Sequence, residues 1–198
     1  EFRQAQEFMK EEDWRHALDL LQYADQVSPG LVPVLFYTAV CHFRLEDWDE
    51  AEYVAQRALK LCSREEDKDA KEQLETLIKQ LPMARVAKSM QKAREFMDRE
   101  QWGKALEVLD DVLEKDVTLL AALFYKAVCH FRNGDWNEAE ETARGALAQC
   151  GKGDKEIKEQ LKTLLEQIPL AKRAAAIKPI TEAIEREDWD DGIETANN

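Results

Sequence analysis

LFYTAVCHFR, residues Leu35 to Arg44, returns as LFYKAVCHFR at Leu123 to Arg132, and only Thr38, exchanged for Lys126, differs. Self-similarity at a fixed offset is the mark of a repeat architecture, so it decides the fold before any local propensity does. The same offset of 88 relates Trp14 to Trp102, Trp48 to Trp136, Cys41 to Cys129 and Cys62 to Cys150. Pro82 and Pro169 correspond at an offset of 87, as do Trp102 and Trp189, which puts a one-residue deletion between Cys150 and Glu159. A whole block is therefore duplicated, and a third copy begins. The sequence opens at Glu1 without Met and stops inside that third copy, which predicts a piece cut from a longer repeat protein.

A shorter period sits inside each block. Trp14 and Trp48 are 34 residues apart, and so are Trp102 and Trp136. Around them the strings EEDWRHAL, LEDWDEAE, REQWGKAL and NGDWNEAE read as a helix end, a short turn closed by an aromatic, and an Ala that opens the next helix; EDWDDGI repeats the turn once more. The period and these residues resemble the tetratricopeptide repeat family. Ala39 and Ala127 match the small residue of that family's close helix crossing. Ala17, Ala51, Ala105 and Ala139 match its next small site, and Ala58 and Ala146 the last. Pro29 matches the Pro that ends a repeat, whereas Ser63, Val117 and Gly151 stand in its place elsewhere. The resemblance implies an all-α, right-handed helical solenoid of antiparallel helix pairs.

Each block adds a further helix to this array. Ala70, Leu74, Leu77 and Leu81 in one block, and Ile157, Leu161, Leu164 and Ile168 in the next, recur at three and four residues and form one apolar stripe. A Pro follows each stripe at once. Proline disfavours helical dihedrals in the residue before it but suits the first turn of a new helix, so a kink or a clean break is expected at Pro82 and Pro169. In that reading a helix from Glu65 to Leu81 closes the first block and one from Met83 to Arg99 opens the second. The expected division is residues 1–81, 82–168 and the start of a third block at 169–198.

With 198 residues the chain can bury a sizeable core without staples. Its 44% hydrophobic and 35% charged content, with only seven Gly and five Pro, argues against disorder and Gly-rich linkers. A formal charge of −13 disfavours a nucleic-acid binder, which needs a concentrated positive surface, and points to a basic or apolar partner. No apolar run approaches the eighteen or so residues of a membrane span. The four Cys residues are too widely spaced for a disulfide framework or a paired-thiol metal site, so reduced thiols in a cytoplasmic protein are expected.

In the family named above, partners bind on the face made by the first helix of each pair. The candidate contact residues there are Phe36, Tyr37, Val40 and Arg44, with Phe124, Tyr125, Val128 and Arg132 as their copies. Phe43 and Phe131 continue the apolar spacing. Such a surface suits an amphipathic helix or an extended apolar segment, with Arg pairing to a carboxylate; the same apolar residues also read as plain core. The family's clamp for acidic chaperone tails needs a Lys and two Asn. The matching positions hold Phe2, Gln6 and Tyr37 in one block and Met90, Arg94 and Tyr125 in the other, so no such clamp is expected. One repeat with its closing helix also resembles the mitochondrial fission adaptor family, over about a quarter of the chain.

Catalytic chemistry is not legible. His16, His42 and His130 are dispersed, and the Cys41–His42 and Cys129–His130 neighbours point about a hundred degrees apart on a helix. The acidic cluster around Asp47 lacks the alternating oxygen ligands and central Gly of a calcium loop and reads as helix capping. Neither a catalytic motif nor a metal site nor a cofactor site is predicted. Arg85, Lys88, Lys92 and Arg94 form a basic stripe that reads as a solvated face or as ion pairs to a neighbouring helix; of it the third copy keeps Lys172, with Ala175 and Pro179 following. The expectation is a non-enzymatic protein-binding scaffold or adaptor, with a co-chaperone that holds unfolded chains as the alternative.

Overall fold

A computed structural model describes residues 1–63 and 67–185. Among these the chain is all helix and turn, in the order α1 (Phe2–Lys10), α2 (Trp14–Val27), α3 (Val32–Arg44), α4 (Trp48–Leu61), α5 (Lys68–Asp98), α6 (Trp102–Lys115), α7 (Leu120–Asn133), α8 (Trp136–Gln149) and α9 (Lys155–Glu185). The chain divides into two compact units, Glu1–Ala87 and Lys88–Asn198. Each is a stack of helices packed against their sequence neighbours. In the first unit α1 lies on α2, α2 on α3, and α3 on α4. In the second, α6 lies on α7, α7 on α8, and α9 touches both α7 and α8.

The small sites identified in the sequence lie where the helices cross. Ala17, Ala39, Ala51 and Ala58, and their copies Ala105, Ala127, Ala139 and Ala146, have no exposed surface, so each meets the facing helix without room for a larger side chain. The closing helices complete these cores. Leu74, Leu77 and Leu81 of α5 join Leu35, Ala39 and Val54 in one cluster, and Leu161, Leu164 and Ile168 of α9 join Ala127, Ala139 and Ala143 in its copy.

The turn before each of the four described Trp residues has a defined chemistry. Glu12, Glu46 and Glu100 take φ of 59°, 66° and 55°, and Gly134 takes 90° at the fourth equivalent position. The amide after each of them donates back five residues, from Asp13 to Phe8, Asp47 to His42, Gln101 to Phe96 and Asp135 to His130, at 2.8–2.9 Å. One left-handed residue followed by this back-bond is a Schellman ending, which satisfies carbonyls that the helix end leaves free. The next residue is already the N-cap of the following helix; in Asp13 it accepts from the His16 amide at 3.3 Å. Two or three residues therefore reverse the chain, and this sets the antiparallel pairs.

At the prolines the structure departs from a clean break. α5 runs from Lys68 to Asp98 with Pro82 inside it, and α9 from Lys155 to Glu185 with Pro169 and Pro179 inside. A proline in a helix interior removes one hydrogen bond and crowds the preceding turn, at a cost of about 3 kcal/mol. Pro82 and Pro169 are exposed, so the carbonyls they leave unpaired can take water. The residues before them, Leu81 and Ile168, are 1% and 0% exposed, and holding them helical keeps both on the core, which offsets that cost. The predicted helix starts at Glu65 and the third-copy Trp189 lie outside the described residues.

Candidate functional site

The closing helix of each unit leaves a cleft against the first helix of the preceding pair. In the first unit a cleft of about 500 Å³ is lined by Phe36, Val40, Phe43 and Arg44 from α3 and by Asp69, Glu72, Gln73, Thr76, Leu77 and Gln80 from α5. In the second a cleft of about 380 Å³ is lined by Phe124, Val128, Phe131 and Arg132 from α7 and by Glu159, Gln160, Thr163, Leu164 and Gln167 from α9. Every residue lining the second cleft is identical to its counterpart in the first.

The floor is apolar and only half covered. Phe36, Val40 and Phe43 pack on the α3/α4/α5 core with one side and line the cleft with the other, so they are both core and surface. The rim is polar, since Glu72, Gln73, Thr76 and Gln80 are exposed. Thr76 and Thr163 donate their hydroxyls to the carbonyls of Glu72 and Glu159 at 2.8 and 3.0 Å, which leaves the methyl groups and oxygen lone pairs for anything in the cleft. Arg44 is exposed at the end of α3, with its guanidinium 5.3 Å from the centre of the Trp14 ring. Stacking on an aromatic face orients the group while leaving its in-plane donors available.

Of the eight residues singled out in the sequence, six line the two clefts: Phe36, Val40 and Arg44, and Phe124, Val128 and Arg132. Tyr37 and Tyr125 are not among the lining residues. Tyr37 packs against Phe2 of α1 with ring centres 5.5 Å apart, and Tyr125 lies under the Arg94 guanidinium at 5.0 Å. Four of the residues at the clamp positions are thus engaged in two pairs, Phe2 with Tyr37 in the first unit and Arg94 with Tyr125 in the second, and a fifth, Met90, is buried. The polar residues of α5 and α9 were not expected, because only the apolar stripe of those helices was read. The signal that could have found them is their identity at an offset of 87 on exposed positions.

The basic stripe is largely committed to ion pairs and ring contacts. Arg85 reaches Asp49 at 2.8 Å and Glu52 at 3.1 Å on α4, and its copy Lys172 reaches Asn137 at 3.0 Å and Glu140 at 3.1 Å on α8. Arg144 first and Lys172 second hold the Glu140 carboxyl below the usual carboxylate range. Lys92 lies 5.9 Å from the Phe96 ring centre. The one substitution in the repeated string is also accounted for locally: the Thr38 hydroxyl donates to the Val34 carbonyl at 2.8 Å, and Lys126 pairs with Asp110 at 2.6 Å.

His42 and His130 sit at the same turn in each unit, with Nδ1 3.6 Å and 3.5 Å from the carboxylates of Asp47 and Asp135. Cys41 and Cys129 are buried, and burial pushes each thiol up to about 11. Neither Cys is therefore an activated nucleophile for its neighbouring His. Among the described residues no group of three or more His, Cys, Asp or Glu is placed to hold a metal ion. Nor is any helix among them long and apolar enough to cross a membrane.

A family model described as Tetratricopeptide repeat matches residues 2–66 and again residues 90–154, which is most of the chain and falls on the two blocks. The chain belongs to the tetratricopeptide repeat family. Among solved structures it is similar to the MamA RS-1 ArsTM double mutant at 16% identity, covering 88% of this chain and 94% of that one with a TM-score of 0.32. It is also similar to the C-terminal part of a TPR repeat-containing protein from Cytophaga hutchinsonii, at 12% identity, 98% and 92% coverage and a TM-score of 0.33. No curated protein matches it. As in other tetratricopeptide repeats, the helix pairs are suited to protein–protein contact, and each of the two clefts joins an apolar floor to a polar rim.

Proposed function

We propose that this chain is a non-enzymatic scaffold or adaptor that holds segments of partner proteins in its two clefts. The observation that carries the reading is the duplicated lining: a half-buried Phe, Val and Phe floor beside an exposed Arg, and an exposed Glu, Gln, Thr and Gln rim, present twice. A floor of this kind gains from covering by apolar side chains, at about 25 cal/mol per Å². The rim supplies donors and acceptors that fix a segment's register. The charge of −13 fits a protein partner better than a nucleic acid. Acidic chaperone tails are not the expected cargo, since the clamp positions hold Phe2 packed on Tyr37 in one unit and Arg94 over Tyr125 in the other. A cytoplasmic setting goes with this reading, given four unpaired thiols.

Partner capture by the chain is compared with capture by an Arg44→Ala/Arg132→Ala variant and by a Lys79→Ala/Glu166→Ala control, whose exposed sites on α5 and α9 do not line the clefts. The reading predicts a small set of proteins retained by the control and lost by the cleft variant. Equal retention by both would remove the clefts as the binding site. A broad set of unfolded clients, together with suppressed aggregation of unrelated proteins, would favour a co-chaperone instead.

A further inference from the structure

The two copies of the block have diverged at exposed positions of the closing helices that do not line the clefts. Glu75 and Lys79 of α5 stand where α9 has Lys162 and Glu166, a reversal of both charges. Yet the exposed rim residues Glu72, Gln73, Thr76 and Gln80 return unchanged as Glu, Gln, Thr and Gln, and Arg44 returns as Arg132. Folding does not require this, because exposed helix positions tolerate most substitutions to within about 0.5 kcal/mol. The shared requirement is therefore a ligand of one kind, met twice.

The cleft also has a polarity. The turn at residues 45–47 reverses α4 on α3, and Arg85 of α5 reaches Asp49 and Glu52 near the start of α4, so α3 and the first half of α5 run in the same direction. This puts Arg44 and Gln80 at one end, and Asp69 and Glu72 at the other, with Phe36, Val40 and Leu77 between. Eleven residues separate Asp69 from Gln80, which at 1.5 Å per residue is a cleft about 16 Å long. That length takes about three turns of helix or about five residues of extended chain. Among the described residues Arg44 makes no ion pair, its only charged-group contact being the Trp14 ring, and neither Asp69 nor Glu72 makes one.

We propose that each cleft takes the same class of partner segment, one with apolar side chains on the Phe–Val–Leu floor, a carboxylate at the Arg44 or Arg132 end and a lysine or arginine at the Glu72 or Glu159 end, so that one chain holds two such segments. This rests on the reading of the clefts as partner sites. The carboxylate is the stronger determinant, because a guanidinium presents a planar fork to it, held at Arg44 by stacking on Trp14. The basic residue matters more in the first unit than in the second, where Glu159 already has Lys162 at 2.7 Å.

The test is selection of a phage-displayed random dodecapeptide library on the whole chain, followed by titration of the enriched peptides. Two variants with unchanged helicity and melting accompany it: Arg44→Glu/Arg132→Glu, which reverses the anion site, and Gln73→Trp/Gln160→Trp, which fills the clefts from exposed positions. The expected peptides carry apolar residues between an Asp or Glu and a Lys or Arg. They lose at least tenfold in affinity on the Arg44→Glu/Arg132→Glu variant, and replacing their acidic residue by Lys restores binding to it. Enriched peptides that lose binding on the filled clefts but lack this charge order overturn the proposal and leave the clefts as partner sites. No enrichment, or peptides indifferent to filled clefts, overturns both.

Discussion

The left-handed residue before each Trp gives a stability prediction whose sign depends on which residue occupies one turn position. Glu100 and Gly134 hold that position in two turns of the same unit, at φ of 55° and 90°. An L-residue pays roughly 1–2 kcal/mol for this backbone, and Gly returns roughly 0.5–1 kcal/mol of it as extra freedom of the unfolded chain. Glu100→Gly should therefore stabilise the unit by about 0.5–1 kcal/mol. Glu100→Gln, which keeps the Cβ and removes only the charge near the α6 N-terminus, isolates the backbone effect by comparison. At Gly134 an added Cβ meets nothing nearer than the Trp136 ring at 3.8 Å, an ordinary contact, so Gly134→Ala carries the torsional cost without a clash and destabilises by about 1 kcal/mol. Urea unfolding followed by circular dichroism reads both: with a slope of roughly 2 kcal/mol per molar, the midpoint rises by about 0.3–0.5 M in one variant and falls by about 0.5 M in the other. Shifts of the same sign, or an unchanged midpoint in both, would refute the turn assignment.

Other expectations follow from the cores and the thiols. Leu74→Ala and Leu161→Ala remove fully buried side chains from the closing-helix clusters, and each should cost about 2–5 kcal/mol in urea unfolding; losses below 1 kcal/mol would mean that the closing helices are not part of those cores. Arg85→Ala and Lys172→Ala remove side chains that are about one-third exposed and paired at the surface, so each should move stability by no more than about 1 kcal/mol, and the effect should shrink as salt is added. With thiols at about 11, Cys41 and Cys129 should react with a disulfide reagent at pH 8 only after denaturant is added, whereas the half-buried Cys62 and Cys150 react first. Four equal reaction rates in the folded protein would contradict the burial of the first pair.

The period of 34 and the block offset of 88 carry most of the fold, because a helix pair with Ala at its crossings can pack in few other ways. The prolines were harder to read. Local rules favour a kink or a break at Pro82, and what keeps the helix going is the burial of Leu81, a tertiary effect that no dihedral preference contains. At the cleft, Phe36, Val40 and Arg44 follow from helical spacing alone. Tyr37 sits next to Phe36 in the string, but one residue turns a side chain by about a hundred degrees, which carries it away from the cleft and onto Phe2. The opposite wall was missed for another reason. Glu72, Gln73, Thr76 and Gln80 are unremarkable as single exposed residues, and their meaning lies in the comparison of two copies that differ at Glu75 and Lys79.

The central claim, that the two clefts are the partner sites, is tested most directly by amide hydrogen exchange with and without a bound peptide from the library, together with its binding stoichiometry. The account predicts two peptides per chain and slowed exchange at residues 36–44 and 72–80 and again at 124–132 and 159–167. A single bound peptide whose protection falls elsewhere, on α2, α4 or α6, would contradict it.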